Sequence, residues 1–229
     1  MLFRLLGGNL TLETAIIQIL AIVFVVFLIL PIHEFAHAGA AYLLGDKAIK
    51  YRGRLTFNPL AHVDPFGALC LLLFGFGWAK PVPIDPRNFK NPKVGMALSA
   101  FAGPLSNLAC GLLSGISLVL ILNLAPETLL SEWGYYLILF LFNFLAINVS
   151  LAVFNLIPFP PLDGSKILYA FLPDGAVNFM YKLERYSFIL IYAVIILFSR
   201  SGILDIIDTF FMKLCLLNNP LCLYVFGLG

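Results

Sequence analysis

His33-Glu34-Phe35-Ala36-His37 stands inside an apolar block that begins near Thr11 and ends near Leu44. On a helix, residues i and i+4 share a face, so both imidazoles can reach one cation. Zinc takes histidine nitrogens at about 2.0–2.1 Å and lowers the pKa of its water to about 7. Glu34, beside the first histidine, is placed to accept a proton from that water. In a soluble chain such a lone pattern deserves suspicion. Here Glu34 ends an apolar run of about twenty residues, and a charge in mid-membrane costs about 2.5–3.5 kcal/mol on insertion scales. A metal with a proton-accepting carboxylate beside it compensates that cost. Chance polarity does not.

The rest of the composition names the same solvent. Of 229 residues, 61% are hydrophobic and 11% charged, against about 25% charged in soluble domains. Mean hydropathy is +0.98. Such a chain cannot cover its apolar surface in water, and the bilayer is its natural solvent. The net charge of +2, with no basic tract interleaved with aromatics, gives no support to a nucleic-acid partner. Cys70 and Cys110 lie in apolar runs and read as small hydrophobes. Cys215 and Cys222 could pair on an oxidising side, but free thiols are the favoured reading. Arg4 and the run from Ala15 to Leu30 resemble a signal peptide. The run is too long for one, however, and continues into His33, Glu34 and His37.

Outward from the first block, three more apolar blocks follow: about Gly95 to Leu124, Trp133 to Ile157, and the shorter Tyr186 to Phe198. Phe66 to Trp78 is apolar but too short to span, and reads as re-entrant or embedded. Lys47 to Phe57 alternates imperfectly between polar and apolar residues and reads as a strand. Gly202 to Gly229 is amphipathic, is broken at Asn218-Asn219-Pro220, and reads as a surface segment. The expected fold is an all-α polytopic membrane protein. It has about four to six transmembrane helices and a short membrane-associated β segment near residues 47–58. A single membrane-embedded domain over residues 1–229 is expected, with its core at about 11–172 and less sharply defined helices over 173–229. Eight basic residues from Lys47 to Lys93 fall between the first two long blocks, and Lys166, Lys182 and Arg185 between the last two. Leu124 to Glu132 has no Lys or Arg. This asymmetry predicts an outside N-terminus, with the basic loops and the His pair toward the cytoplasm.

A catalytic zinc usually has three protein ligands and an open position. His62, Asp64, Asp163 and remote acids are the candidates for the third. His62 and Asp64 lie in the turn-like Asn58-Pro59-Leu60-Ala61-His62-Val63-Asp64-Pro65. Asp163 follows Asn155-Leu156-Ile157-Pro158-Phe159-Pro160-Pro161-Leu162, whose prolines deny a continuous helix at the expected cytoplasmic side. Asp163 is favoured over His62. Its bland reading is an N-cap for a helix from Ser165.

His33-Glu34-Phe35-Ala36-His37 together with Asn155-x-x-Pro158-x-x-x-x-Asp163-Gly164 resembles the site-2 protease family of intramembrane zinc metalloproteases. Gly103-Pro104-Leu105-Ser106-Asn107 matches another motif of that family. Gly77-Trp78-Ala79-Lys80-Pro81-Val82-Pro83 and Asn58-Pro59-Leu60-Ala61-His62 resemble its compact bacterial members. The matches run in order from about His33 to Lys166. The resemblance implies one zinc per chain held by His33, His37 and Asp163, with Glu34 as the base. It implies substrate contact by Asn107, and Asn155 is assigned to substrate by its motif position. It further implies membrane-protein substrates with a transmembrane segment. With the orientation read from the basic loops, the expectation is a multi-pass protein of the plasma membrane whose active site faces the cytoplasm. Neither the PDZ nor the CBS domain of some members is expected in this chain.

A substrate helix must unwind before its peptide bond can be reached. The strand read at Lys47 to Phe57 could pair with it, or could be a plain cytoplasmic hairpin. Asn107, Asn148 and Asn155 could line a water path or bond between helices. Lys80, Pro81 and Val82 read as near the cytoplasmic entry, although anchoring of Lys80, Arg87, Lys90 and Lys93 to anionic headgroups is favoured. Two other classes compete: a divalent-metal transporter and a non-catalytic relative that binds membrane proteins. Only three histidines and few intramembrane acids oppose the first, and the intact Glu34 opposes the second.

Overall fold

A computed structural model describes residues 16, 19–20, 23–74, 79–186, 189–191 and 202–228. Three helices in it are long and apolar enough to cross a membrane: α1 (Val25–Leu44), α4 (Pro92–Leu124) and α5 (Glu132–Asn155). The first turns of α1, Val25–Ile29, are π-helical. They fall directly ahead of Pro31, where the α-helical ladder loses a donor. Gly45 ends α1 at φ +131°, and a Cβ there would press on the Asn88 carbonyl.

α4 starts cleanly because Asn91 accepts from the Val94 N–H and Pro92 needs no partner. Ser131 caps α5 in the same way, through the Gly134 N–H. The short link through Pro126–Leu130 folds α5 back along α4. Lipid is as apolar as leucine, so burial alone does not drive two helices together in a bilayer, and close packing must. The seam supplies it. Gly111, Ser114 and Gly115 share one face of α4. Gly111 lies against Val149 and Leu145, and Ser114 Oγ donates to the Leu141 carbonyl at 2.8 Å. Leu118, Leu122, Ile138, Leu145, Val149 and Val153 fill the core, closed by Cys215, Leu216 and Cys222. Leu113, Leu120 and Leu124 of α4 and Trp133 of α5 are exposed, as a lipid-facing surface requires.

Between α1 and α4 lie two short helices, α2 (Ala48–Tyr51) and α3 (Pro65–Phe74). The strand expected at Lys47 to Phe57, within the β segment near residues 47–58, does not form. A lone strand leaves its backbone groups without partners. Here Arg52 N–H donates to Ala48 O, Gly53 N–H to Lys50 O and Arg54 N–H to Ile49 O, so the chain closes a helical turn. Among the described residues the β pairing is one isolated antiparallel bridge, Val63 to Ala79. α3, at ten residues, is about 15 Å long, half the hydrocarbon thickness. Of the expected block at Tyr186 to Phe198, all but Tyr186 and residues 189–191 lie outside the described residues.

Past α5 come α6 (Asp163–Leu168), α7 (Asp174–Leu183), α8 (Ile203–Cys215) and α9 (Pro220–Val225). α8 packs on α4 and α5 and turns Ile206 and Phe210 outward. Leu217 and Asn218 take left-handed backbone at the expected break before Pro220, and Asn219 caps α9. All four cysteines are free.

Candidate metal centre

Three buried side chains meet where α1, α4 and α6 pack together. His33 and His37 lie on one face of α1, with their Nε2 atoms 3.0 Å apart. Asp163 Oδ2 lies 3.3 Å from His33 Nε2 and 3.2 Å from His37 Nε2. Tetrahedral ligands at zinc distances stand about 3.3 Å from one another. Two imidazole nitrogens and one carboxylate oxygen form a zinc donor set. The residues therefore fit the metal. The hydrogen bonding fits it too: His37 Nδ1–H donates to the Ser99 carbonyl at 2.7 Å, the arrangement that in a neutral imidazole leaves Nε2, on the cluster side, as the ligating nitrogen. His33 Nδ1 is buried with no partner.

Each element is shaped for this meeting. Ser99 Oγ returns a bond to the His37 carbonyl at 3.1 Å, so two hydrogen bonds tie α4 to α1 at His37. One turn further along α4 is Gly103, where any Cβ would strike both histidine rings. Asp163 is delivered by the turn that Pro158, Pro160 and Pro161 impose after α5. Gly164 lets this turn fold back, since a Cβ there would strike the Leu156 and Ile157 carbonyls. Asp163 does not act as an N-cap. It begins α6 itself, Leu162 holds the cap position, and the carboxylate points at the histidines. Lys166 Nζ stands 3.9 Å from the other oxygen, Oδ1.

Glu34 is buried beside the cluster, and its Oε2 accepts from the Val82 N–H at 3.2 Å. The remaining candidates are engaged elsewhere. His62 is fully buried, and its Nε2 pairs with the Thr56 carbonyl at 2.7 Å. Asp64 accepts from the Phe66 and Gly67 N–H groups at the start of α3. Neither joins the metal-competent group of His33, His37 and Asp163. Asn107 lies one turn beyond Gly103 and is buried, with neither amide atom paired. Asn155 donates to the Leu151 carbonyl of its own helix at 2.9 Å and is not drawn to the cluster by any such bond. Asn148 bonds Phe144 O likewise, with Oδ1 unpaired.

Sequence reasoning missed Ser99. Its signal was available only indirectly, because it precedes Gly103 by four residues and so shares its face. Outside the spans, Asp46 is fully buried and binds the Asp85 N–H and Asn88 Nδ2, holding the loop from residue 79 to 91 on the end of α1. The Arg87 guanidinium, by hydrogen bonding, holds the Asp85 carboxyl down to about 2.

Two histidines one turn apart, a carboxylate from a distant turn and a buried glutamate, set among membrane-length helices, form a metal-competent site of the kind expected of a site-2-type membrane metalloprotease. The comparisons agree. The chain belongs to Peptidase family M50, whose profile matches residues 128–198. It is 41% identical over 157 residues to "Putative zinc metalloprotease YwhC" of Bacillus subtilis (strain 168), covering 69% of this chain and 71% of that protein. "Putative zinc metalloprotease Rip2" of Mycolicibacterium smegmatis is 27% identical over 177 residues, which span 73% of this chain and 63% of that one. "Putative zinc metalloprotease MJ0611" of Methanocaldococcus jannaschii is 42% identical over 69 residues, 30% of this chain and 31% of its own. No solved structure matches. Zinc is the cofactor of this family, and the protein is a membrane protein.

Proposed function

We propose that this protein is an intramembrane zinc endopeptidase that hydrolyses peptide bonds within or beside transmembrane segments of other membrane proteins. The observation that carries this reading is the convergence of His33 Nε2, His37 Nε2 and Asp163 Oδ2, all within 4.8 Å of one another. His33 lies eleven residues, about 17 Å, before the end of a membrane-length helix, and so within bilayer depth. The basic loops flanking the spans argue for a cytoplasmic-facing site in the plasma membrane.

His33, His37 and Asp163 would hold the ion, one per chain. Bound there, zinc supplies a Lewis acid that polarises the scissile carbonyl and acidifies water. Glu34 takes the proton from the attacking water and returns it to the leaving amine nitrogen, so that water and one amide become an acid and an amine. Asn107, buried with both amide atoms free, offers a donor and an acceptor to an unwound substrate backbone. Asn155 is assigned the same task from its place ahead of the Asp163 turn. Burial of the site among three helices keeps bulk water out and strengthens each of these contacts.

Purified protein in liposomes, given a panel of single-span substrates, tests the reading. Cleavage within the span that needs zinc and is lost with chelator and in Glu34→Gln is expected. Cleavage that survives Glu34→Gln would sink the reading, and metal flux without cleavage would turn it toward transport.

A further inference from the structure

The segment Lys80-Pro81-Val82-Pro83-Ile84 crosses the face of Glu34 and is tied down along its length. Lys80 N–H donates to the His62 carbonyl at 2.7 Å. Arg54 Nη1 reaches the Ala61 carbonyl and, at 3.5 Å, the Lys80 carbonyl. Arg52 Nη1 donates to the Pro83 carbonyl. The fully buried His62 ring bonds Thr56 O and fixes the loop beneath. Proline has no N–H and a locked φ, and the residue before a proline is confined to extended backbone. Val82 therefore holds the single backbone donor of Pro81-Val82-Pro83, and that donor points at Glu34 Oε2 at 3.2 Å.

We propose that the Val82 backbone N–H is a positioning group for Glu34, orienting its carboxylate toward the cluster before substrate arrives. The inference rests on the proteolytic reading above, in which Glu34 is the base. The two prolines strip the segment of competing donors and stiffen it. The Arg52, Arg54 and His62 contacts hold it at one height over the site. Without the amide, a buried carboxylate on a flexible stem would sample rotamers that face away from the water it must deprotonate. Val82 acts through Glu34, so its loss lowers turnover and leaves metal and substrate binding in place.

Two variants delete the donor. Val82→Pro removes the N–H. The α-hydroxy analogue of valine, incorporated at position 82, replaces the N–H with an ester oxygen and keeps the side chain. Val82→Ala retains the donor and serves as reference. Each full-length protein is loaded with zinc and assayed on a single-span substrate that the unaltered protein cuts. Both donor-less variants are expected to show kcat about 10- to 100-fold below that of Val82→Ala. KM should stay within about twofold, and the zinc content should be unaltered. An ester variant that turns over as fast as Val82→Ala overturns the proposal, and so does one whose loss lies in KM or in zinc content. The ester decides alone if Val82→Pro does not fold. Equal cleavage by unaltered protein and Glu34→Gln overturns the underlying proteolytic reading instead, before any Val82 variant is compared.

Discussion

At Gly103 a single methyl group decides whether the two histidines fit against α4. A Cβ there meets both rings, whereas one at Gly39, on α1, has nothing within 4 Å. Gly103→Ala is therefore expected to lose at least half of the bound zinc, read by elemental analysis after dialysis. Gly39→Ala keeps the metal and raises the unfolding midpoint, since alanine gains about 0.8–1 kcal/mol over glycine in a helix. Glu34→Gln should retain zinc, because it removes no ligand, and should lower kcat about 10²- to 10⁴-fold, as the loss of a general base does. Asp163→Asn keeps the shape but not the charge, and its zinc should be lost to a chelator that leaves the native protein loaded.

The elements show how far a helix pair depends on small contacts. Lys93, in the first turn of α4, donates to the Leu172 carbonyl and to Asp174 Oδ1, both at 2.7 Å, and so tethers the start of α7. The ion pair is exposed and contributes under about 1 kcal/mol. Lys93→Met is expected to raise amide exchange over residues 172–183 about fivefold or less, measured by hydrogen–deuterium exchange. α8 is held differently. Ser150 Oγ of α5 donates to Asp208 Oδ2 at 2.6 Å. Burial pushes the Asp208 carboxyl up, and nearby Asp205 adds to the rise. A group raised in the folded state contributes fully below its unfolded pKa and loses that contribution as pH rises through the folded value. Asp208→Asn should thus bring a small gain in unfolding midpoint at pH 8 and none at pH 4. The seam of α4 and α5 was legible in the apolar blocks, yet α2 was misread as a strand. Its alternation is real on paper, but among the described residues no neighbouring strand satisfies it.

The described molecule is a membrane bundle whose candidate metal-holding side chains come from its first described span and from the turn after its last described span. Zinc would therefore clamp elements far apart in the chain. Binding to the folded state alone stabilises by about 4 kcal/mol at a thousandfold excess over Kd. Chelation is expected to lower the unfolding midpoint by about 8–16 °C in detergent, at 2–4 °C per kcal/mol for a chain of this size.

The histidine pair, the neighbouring glutamate and the apolar lengths were fixed by local periodicity, because i and i+4 on a helix face one way whatever surrounds them. Asp163 could be ranked from its proline-rich setting, but its carboxylate had to be seen pointing at the histidines rather than capping its own helix. Ser99 on the His37 ring, the clearance at Gly103 and the Val82 amide on Glu34 were not legible. They are backbone groups and empty spaces, which carry no side-chain signature and exist only once distant segments are packed together.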